Sequence, residues 1–242
     1  MTDSLVIIPT YNEIENIEAI IEAVLSLRKE FHILIVDDNS PDGTADKVRS
    51  LQQQYTQQLF LEVREGKQGL GTAYIHGFKW ALARSYTYIF EMDADFSHTP
   101  SDLLRLYNAC ANGADMVIGS RYKKGVNVVN WPLHRVLLSY GASFYVKIIT
   151  GMPIKDPTAG FVCFHRKVLE AIELDKVKFV GYAFQIEMKF RAYRKKFNIE
   201  EISIIFKDRE KGKSKMSSRI VWEAVFGVIS MKLKSIFNKG GW

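Results

Sequence analysis

Several stretches of the chain put charged side chains where apolar runs stop, and that placement gives them chemistry. Met92-Asp93-Ala94-Asp95 closes the apolar run that begins at Tyr88. Two carboxylates two residues apart at a strand end can turn toward one hard cation. Mg2+ or Mn2+ prefers such oxygen ligands and keeps substrate phosphates in its other positions. An ion held there neutralises the charge that builds on a diphosphate leaving group. Asp-x-Asp alone is a frequent coincidence, so the reading rests on its place after a strand and on Asp37-Asp38 at a neighbouring strand end. A carboxylate just past a second strand accepts hydrogen bonds from a nucleoside, as the acidic residue of dinucleotide folds does for ribose. The glycine fingerprint expected after the first strand is absent, which argues against a nicotinamide or flavin enzyme.

Cations complete the set. Arg121 follows the next strand in Gly119-Ser120-Arg121-Tyr122, close to the proposed metal edge. Asp208-Arg209 and Gly212-Lys213-Ser214-Lys215 form a polar, basic loop. Arginine suits bidentate phosphate capture and lysine supplies a point charge, so this loop reads as one that closes over a diphosphate. A solvated charge run is the plainer reading of the same residues. Pro9-Thr10-Tyr11-Asn12-Glu13 ends the first strand and presents Tyr11 and Glu13 at the sheet edge, or simply caps the helix that follows Asn16. Asp156 and Glu187 either shape a sugar or acceptor pocket or serve as turn and helix residues. There is no Ser-His-Asp arrangement, and the five histidines lack metal-ligand spacing.

The elements that must position these residues alternate. Leu5 to Ile8, Ile33 to Val36, Phe60 to Val63, Tyr88 to Met92 and Met116 to Gly119 read as strands. Asn16 to Leu27, Ala45 to Gln54, Thr72 to Ala83 and Pro100 to Ala111 carry helical spacing of apolar residues. Such alternation predicts an α/β fold with a Rossmann-like, mainly parallel sheet, and right-handed crossovers place the strands' carboxyl ends along one edge. Beyond Gly125 the spacing predicts a long amphipathic helix over Trp131 to Thr150, a strand over Gly160 to Phe164, a helix over Phe184 to Lys195 and a strand over Ile199 to Phe206. A last helix starts at Ile220, so one domain over 1–217 carries a short amphipathic segment, 218–242.

The chain has 242 residues, enough to bury a sizeable core, and its two cysteines are too few for a disulfide framework. A net charge of +6 fits nucleic acid, an anionic bilayer or a phosphorylated substrate. No nucleic-acid reading module is recognisable in the basic tail, so nucleic acid is set aside. Neither Val136 to Ile154 nor Ile220 to Met231 is apolar and long enough to span a bilayer, which takes about 20 residues. Both suit helices lying in a membrane interface, with Trp131, Tyr140, Tyr145 and Trp222 at headgroup depth, while Val136 to Ile154 reads equally well as a buried amphipathic helix.

Taken in order, Pro9 to Glu13, DDNSPDGT from Asp37, GLGTAYIHG from Gly69, DADFSHTP from Asp93, GSRY from Gly119, FQIEM from Phe184 and the Arg209 to Met216 loop resemble dolichol-phosphate mannose synthase and its bacterial polyprenol-phosphate relatives. The match covers the chain from about Leu5 to Met216. The resemblance implies a GT-A fold and an inverting transfer of mannose from GDP-mannose to a polyprenyl phosphate. By the same resemblance Pro9, Tyr11, Glu13, Val36 and Asp38 line the nucleotide pocket, while Asp93, Ala94 and Asp95 hold the metal and diphosphate. Arg121, Arg209 and Lys215 engage phosphate, and Ser97 stands where some relatives have a glutamine that contacts the metal. Many relatives carry transmembrane helices or membrane subunits. Here the expectation is peripheral binding at the cytoplasmic face of a membrane through the last segment and the Trp131 to Thr150 helix. The nucleophile would be an already ionised phosphate oxygen, so catalysis reduces to positioning and charge neutralisation by the cation, Arg121, Arg209 and Lys215. Two alternatives remain: a polyprenyl-phosphate glucosyltransferase using UDP-glucose, and a non-catalytic nucleotide-sugar binding protein.

Overall fold

A computed structural model of the chain describes residues 2–209 and 218–237. Its frame is a seven-stranded sheet built from β1 (Ser4–Thr10), β2 (His32–Asp37), β3 (Leu59–Val63), β4 (Tyr88–Glu91), β5 (Met116–Ser120), β7 (Val162–His165) and β8 (Ile199–Ser203), in the order β3-β2-β1-β4-β7-β5-β8. All neighbours pair in parallel except β7, which runs antiparallel to both β4 and β5. Side chains alternate across the pleat, so Leu5 and Ile7 face one layer while Val6 and Ile8 face the other. Burial on both faces explains why these strands read as unbroken apolar runs.

One layer holds α1 (Ile17–Leu25), α2 (Thr44–Gln52) and α4 (Asp102–Ala111), which bury Ile20, Val48 and Leu106 against Val6 and Phe90. The other holds α3 (Leu70–Leu82), α6 (Arg166–Ala171) and α7 (Tyr182–Arg194). It is completed by α5 (Leu133–Thr150) and α8 (Ser218–Phe237). α8 contributes Val228 and Met231 to the same core as Phe78 and Phe184. A two-stranded parallel ribbon, β6 (Val128–Val129) with β9 (Phe206–Lys207), sits apart from the main sheet.

Chain direction reverses at β1: β2 and β3 are added on one side of it, and β4 on the other. Ligands in open α/β sheets bind at such a switch point, outside the carboxyl ends of the strands. Pro9 opens that crevice. The sequence places it past the strand, yet β1 continues to Thr10, with Pro9 opposite Val36. Thr10 O accepts Asp38 N on the β2 side, while Ile7 O accepts Met92 N on the β4 side. Alternation turns the edge of Pro9 that lacks an N–H toward β4, where pairing has already ended at Ile7 and Glu91. The ladder to β2 therefore loses nothing, and β1 and β4 are free to part.

Two further expectations change. The strand expected over Ile199 to Phe206 is broken: β8 follows β5 as far as Ser203, and Phe206 N then bonds Asn127 O to start β9 against β6. Asp37-Asp38 does not neighbour the Asp93 strand, because β1 lies between β2 and β4.

Candidate functional site

Three strand ends meet at the crevice. β4 runs out into Asp93, Ala94 and Asp95, and the turn is tight enough to hold Phe96 at φ 59°, a left-handed backbone that costs a bulky residue energy. Asp95 Oδ1 accepts the Ser97 backbone N–H at 3.0 Å, which fixes its carboxylate, and Arg209 Nη2 lies 2.8 Å from Asp95 Oδ2. Ser97 is buried, and its carbonyl accepts Lys207 N at 3.2 Å, so β9 is sewn to the acidic turn.

Asp93 stands beside the buried Tyr74 of α3. Burial, with Asp95 and Glu13 adding like charge, pushes its carboxyl up to about 7, although Arg209 pulls the other way. A carboxylate so reluctant to ionise is one that a cation would relieve. Among the described residues no set of three or more Asp, Glu, His and Cys side chains could hold an ion by itself. Two oxygen-only donors with the remaining positions left to phosphate and water is the pattern of Mg2+ or Mn2+ sites on phosphorylated substrates, so the residues present fit such an ion.

On the β2 side, the two aspartates of the pair have different work. Asp37 is fully buried; it accepts Thr10 Oγ1 at 2.7 Å, Ser40 N at 2.8 Å and Ser40 Oγ at 2.6 Å, and so braces the turn. Asp42 likewise receives Ile14 N and Thr44 N, which ties the Asn12 to Glu13 turn to the start of α2. Asp38 faces the crevice and is gripped by Arg64, whose Nε donates to Oδ1 at 2.6 Å. Arg64 Nη1 also reaches Thr72 Oγ1, and Thr72 bonds Gly69 O at the start of α3. Nothing in the sequence singles out Arg64, a lone arginine after a strand. Its signal is the contact itself. Tyr11 lies opposite, with Lys67 Nζ 4.9 Å from its ring centre, and Val36 is buried beneath in β2.

Beyond β4, the antiparallel β7 brings the Asp156 to Gly160 loop back to the rim. Asp156 accepts Arg121 N, Nε and Nη2 at 2.9, 2.8 and 2.6 Å, and Thr158 Oγ1 takes a further bond from Nη2 at 2.8 Å. Burial alone would raise the Asp156 carboxyl, but the Arg121 guanidinium holds it below the usual range. Arg121 is thus a fixed cation on a rigid fork, 8% exposed at the crevice wall. His98 stacks on Phe161 at 4.8 Å, and burial pulls its imidazole down to about 4. Glu187 is committed to Arg191 and to the backbone N–H groups of Lys178 and Phe179, a bracing role. Lys215 lies outside the described residues.

The structure therefore gathers Glu13, Asp93, Asp95, Arg121 and Arg209 around the crevice and sets Tyr11 and Asp38 on its β2 side. A switch-point sheet with an acidic turn bridged to Arg209, and Arg121 fixed by Asp156 at the rim, has the layout of a transferase of the GT-A, nucleotide-sugar type. The glycosyl transferase family 2 model matches residues 5–173. Polyprenol monophosphomannose synthase of Mycolicibacterium smegmatis is 46% identical, over 98% of this chain and 89% of that protein. Undecaprenyl-phosphate mannosyltransferase of Micrococcus luteus is 45% identical, over 93% of this chain and 91% of that protein. The chain belongs to glycosyl transferase family 2 and, within it, to the polyprenol-phosphate mannose synthase family. In fold it resembles glucosyl-3-phosphoglycerate synthase from Mycobacterium tuberculosis in complex with Mn2+ and UDP-glucose, with a TM-score of 0.68 at 16% identity, over 96% of this chain and 78% of that one.

Proposed function

We propose that this enzyme transfers mannose from GDP-mannose to a polyprenyl phosphate with inversion, at the cytoplasmic face of a membrane. The observation that carries this reading is the facing of the Asp93 and Asp95 pair by Arg209 across the β1 and β4 switch point, with Arg121 fixed on the far wall. The names of the M. smegmatis and M. luteus relatives supply the sugar and the lipid class.

Tyr11, Val36 and Asp38 form the nucleoside side, with Arg64 orienting Asp38. Asp93 and Asp95 would hold Mg2+ or Mn2+, with Ser97 beside them, and the ion would supply charge neutralisation at the diphosphate. Arg209 reaches the same point from β9 and adds a cation that needs no proton transfer. Arg121 presents a guanidinium to the acceptor side, where a lipid phosphate is already ionised near neutral pH. Its oxygen attacks the anomeric carbon from the face opposite the nucleotide, so the sugar inverts and no protein base is required.

A lipid acceptor needs a surface to come from. On α5, Leu133, Leu137, Leu138, Phe144 and Ile148 are each 60% exposed or more, at helical spacing along one face. Phe226, Ile229, Leu233 and Ile236 continue that apolar surface on α8. Soluble monomers rarely expose so much contiguous apolar area, and membrane contact accounts for it. Among the described residues no helix is long and apolar enough to cross a membrane. Two aromatics expected at headgroup depth turn inward: Trp131 packs on Phe206, and Tyr145 OH donates to Val225 O at 2.8 Å.

The deciding experiment incubates the protein with vesicles containing undecaprenyl phosphate and radiolabelled GDP-mannose or UDP-glucose. Label is expected in the lipid phase from GDP-mannose. Preference for UDP-glucose would overturn the sugar assignment, and absence of lipid-linked product from either donor would leave only a binding protein.

A further inference from the structure

Beneath the crevice, α7 carries a cation that the reaction as described does not use. Lys189 is fully buried, and its Nζ donates to Ala159 O at 2.7 Å, Gln185 O at 3.2 Å and Gln185 Oε1 at 3.0 Å. Ala159 belongs to the loop whose Asp156 clamps Arg121. On the other flank stands Glu91, the last residue of β4 and two residues before Asp93, also fully buried. Both Glu91 oxygens and Gln185 Nε2 are buried without a well-formed hydrogen bond, and Lys189 is a cation within electrostatic reach of Glu91. Lys189 also lies within electrostatic reach of Asp156. Where the loop passes the acidic turn, a Cβ added at Gly160 would come 3.8 Å from Gln185 Nε2 and 4.0 Å from Asp93 Oδ2.

An ammonium with three bonds to one loop and its own helix, set between two carboxylates, has the geometry of a tie. We propose that Lys189 is a positioning residue for the transfer: it fixes the Asp156 to Gly160 loop against the end of β4, and so holds Arg121 in register with Asp93 and Asp95. Buried charge is costly to maintain, and a hydrophobic side chain of similar volume would pack α7 as well. Retaining the cation makes sense where a loop carbonyl must be held to a fraction of an ångström, because small misplacements of a phosphate-binding group cost large factors in rate. Asp38 and Arg64 lie across β1 from the tie, so its loss weighs on the acceptor side more than on the grip of the nucleoside.

The proposal rests on the phosphate-acceptor reading above, and its test separates the two. The double variant Glu91→Gln with Lys189→Met removes both buried ionisable groups together. Relative to wild type, kcat is expected to fall about tenfold and KM for polyprenyl phosphate to rise about tenfold, while GDP affinity by calorimetry stays within about twofold. A purely structural role would lower the melting temperature and the active fraction without splitting acceptor KM from nucleotide affinity. Lys189→Gln, which keeps a shorter donor, is expected to raise acceptor KM by about threefold. Either variant, folded and with wild-type kcat and acceptor KM, overturns the proposal. So does failure of both to fold, which would make the pair a core element only. Lack of mannosyl transfer by the wild type would instead defeat the underlying reading.

Discussion

Arg209 Nη2 sits 2.8 Å from Asp95 Oδ2, and the two residues belong to segments more than a hundred positions apart in sequence. The contact is possible because β9 is stitched to the acidic turn through Lys207 N and Ser97 O and to β6 through Asp208 N and Val129 O. On the proposed reading, a cation held two residues past a short, tethered strand is preorganised for charge that develops at the diphosphate. Arg209→Ala is expected to lower kcat by roughly 10²- to 10³-fold, the usual effect of losing one electrostatic donor in a closed site. Asp95→Asn should abolish turnover with little change in melting temperature, since its carboxylate faces the crevice and not the core. Metal-dependent activity surviving in Asp95→Asn would contradict the assignment.

Asp93 gives the site a pH signature. Its carboxyl is pushed up to about 7 by burial and by Asp95 and Glu13. Ion capture needs the ionised form, so protons compete with the metal. At fixed, low Mg2+, turnover should rise through about pH 7, and the midpoint should move to lower pH as Mg2+ increases. Stability of the metal-free protein follows the opposite sign. The folded chain binds this proton more tightly than the unfolded chain, so the contribution is full below about pH 4 and is lost as pH rises through about 7. Asp93→Asn removes that component. Melting curves of the two proteins that stay parallel from pH 5 to 8 would refute it.

The sequence exposes what repetition and burial write into it, and hides what only contact creates. Doubly buried strands such as Leu5 to Ile8 are apolar runs because both faces are covered, so five strands and four helices were legible within two residues or so. Asp93 and Asp95 could be placed at the crevice from sequence because they directly follow the apolar strand that ends at Glu91. Asp37 and Asp38 look alike in sequence, yet one braces a turn and the other faces the crevice, a difference set by side-chain direction alone. Arg64 and Lys189 escaped notice because each is a single basic residue whose partners lie on other elements. β6 and α6, two and six residues long, are too short for periodicity to mark.

The Gly69 to Gly77 stretch is one of the motifs that carry the family resemblance, and within it Gly77 serves packing. A Cβ there would stand 2.7 Å from Ile7 Cγ2 and 3.0 Å from Ile7 Cδ1, so α3 lies on β1 only because the side chain is missing. Gly77→Ala is expected to cost about 1–3 kcal/mol in urea unfolding, as overpacking does. Gly141→Ala is the control: it lies in α5 with nothing within 4 Å of the added Cβ, and should stabilise by up to about 1 kcal/mol. Equal effects at the two sites would show that α3 is not pressed against β1.

Membrane recovery tests the apolar face directly. α8 is a poor target for truncation, because Val228 and Met231 are core residues and Lys232 Nζ donates to Thr150 O at the end of α5. Deleting the chain from Ile220 would disturb folding as well as docking. Leu137 and Phe144 are better: they are 63% and 60% exposed on α5, on the side opposite the buried Ser143 and Val146. Burying such a side chain in an apolar phase is worth about 1.5–3 kcal/mol. Since about 1.4 kcal/mol is tenfold in partitioning, Leu137→Glu with Phe144→Glu should reduce co-sedimentation with anionic vesicles at least tenfold. Turnover of a short-chain, water-soluble polyprenyl phosphate should persist in the same variant, because both side chains lie on the exposed face of α5. Undiminished vesicle binding would mean that α5 faces some other partner, and loss of activity on the soluble acceptor would mean that the helix belongs to the site itself.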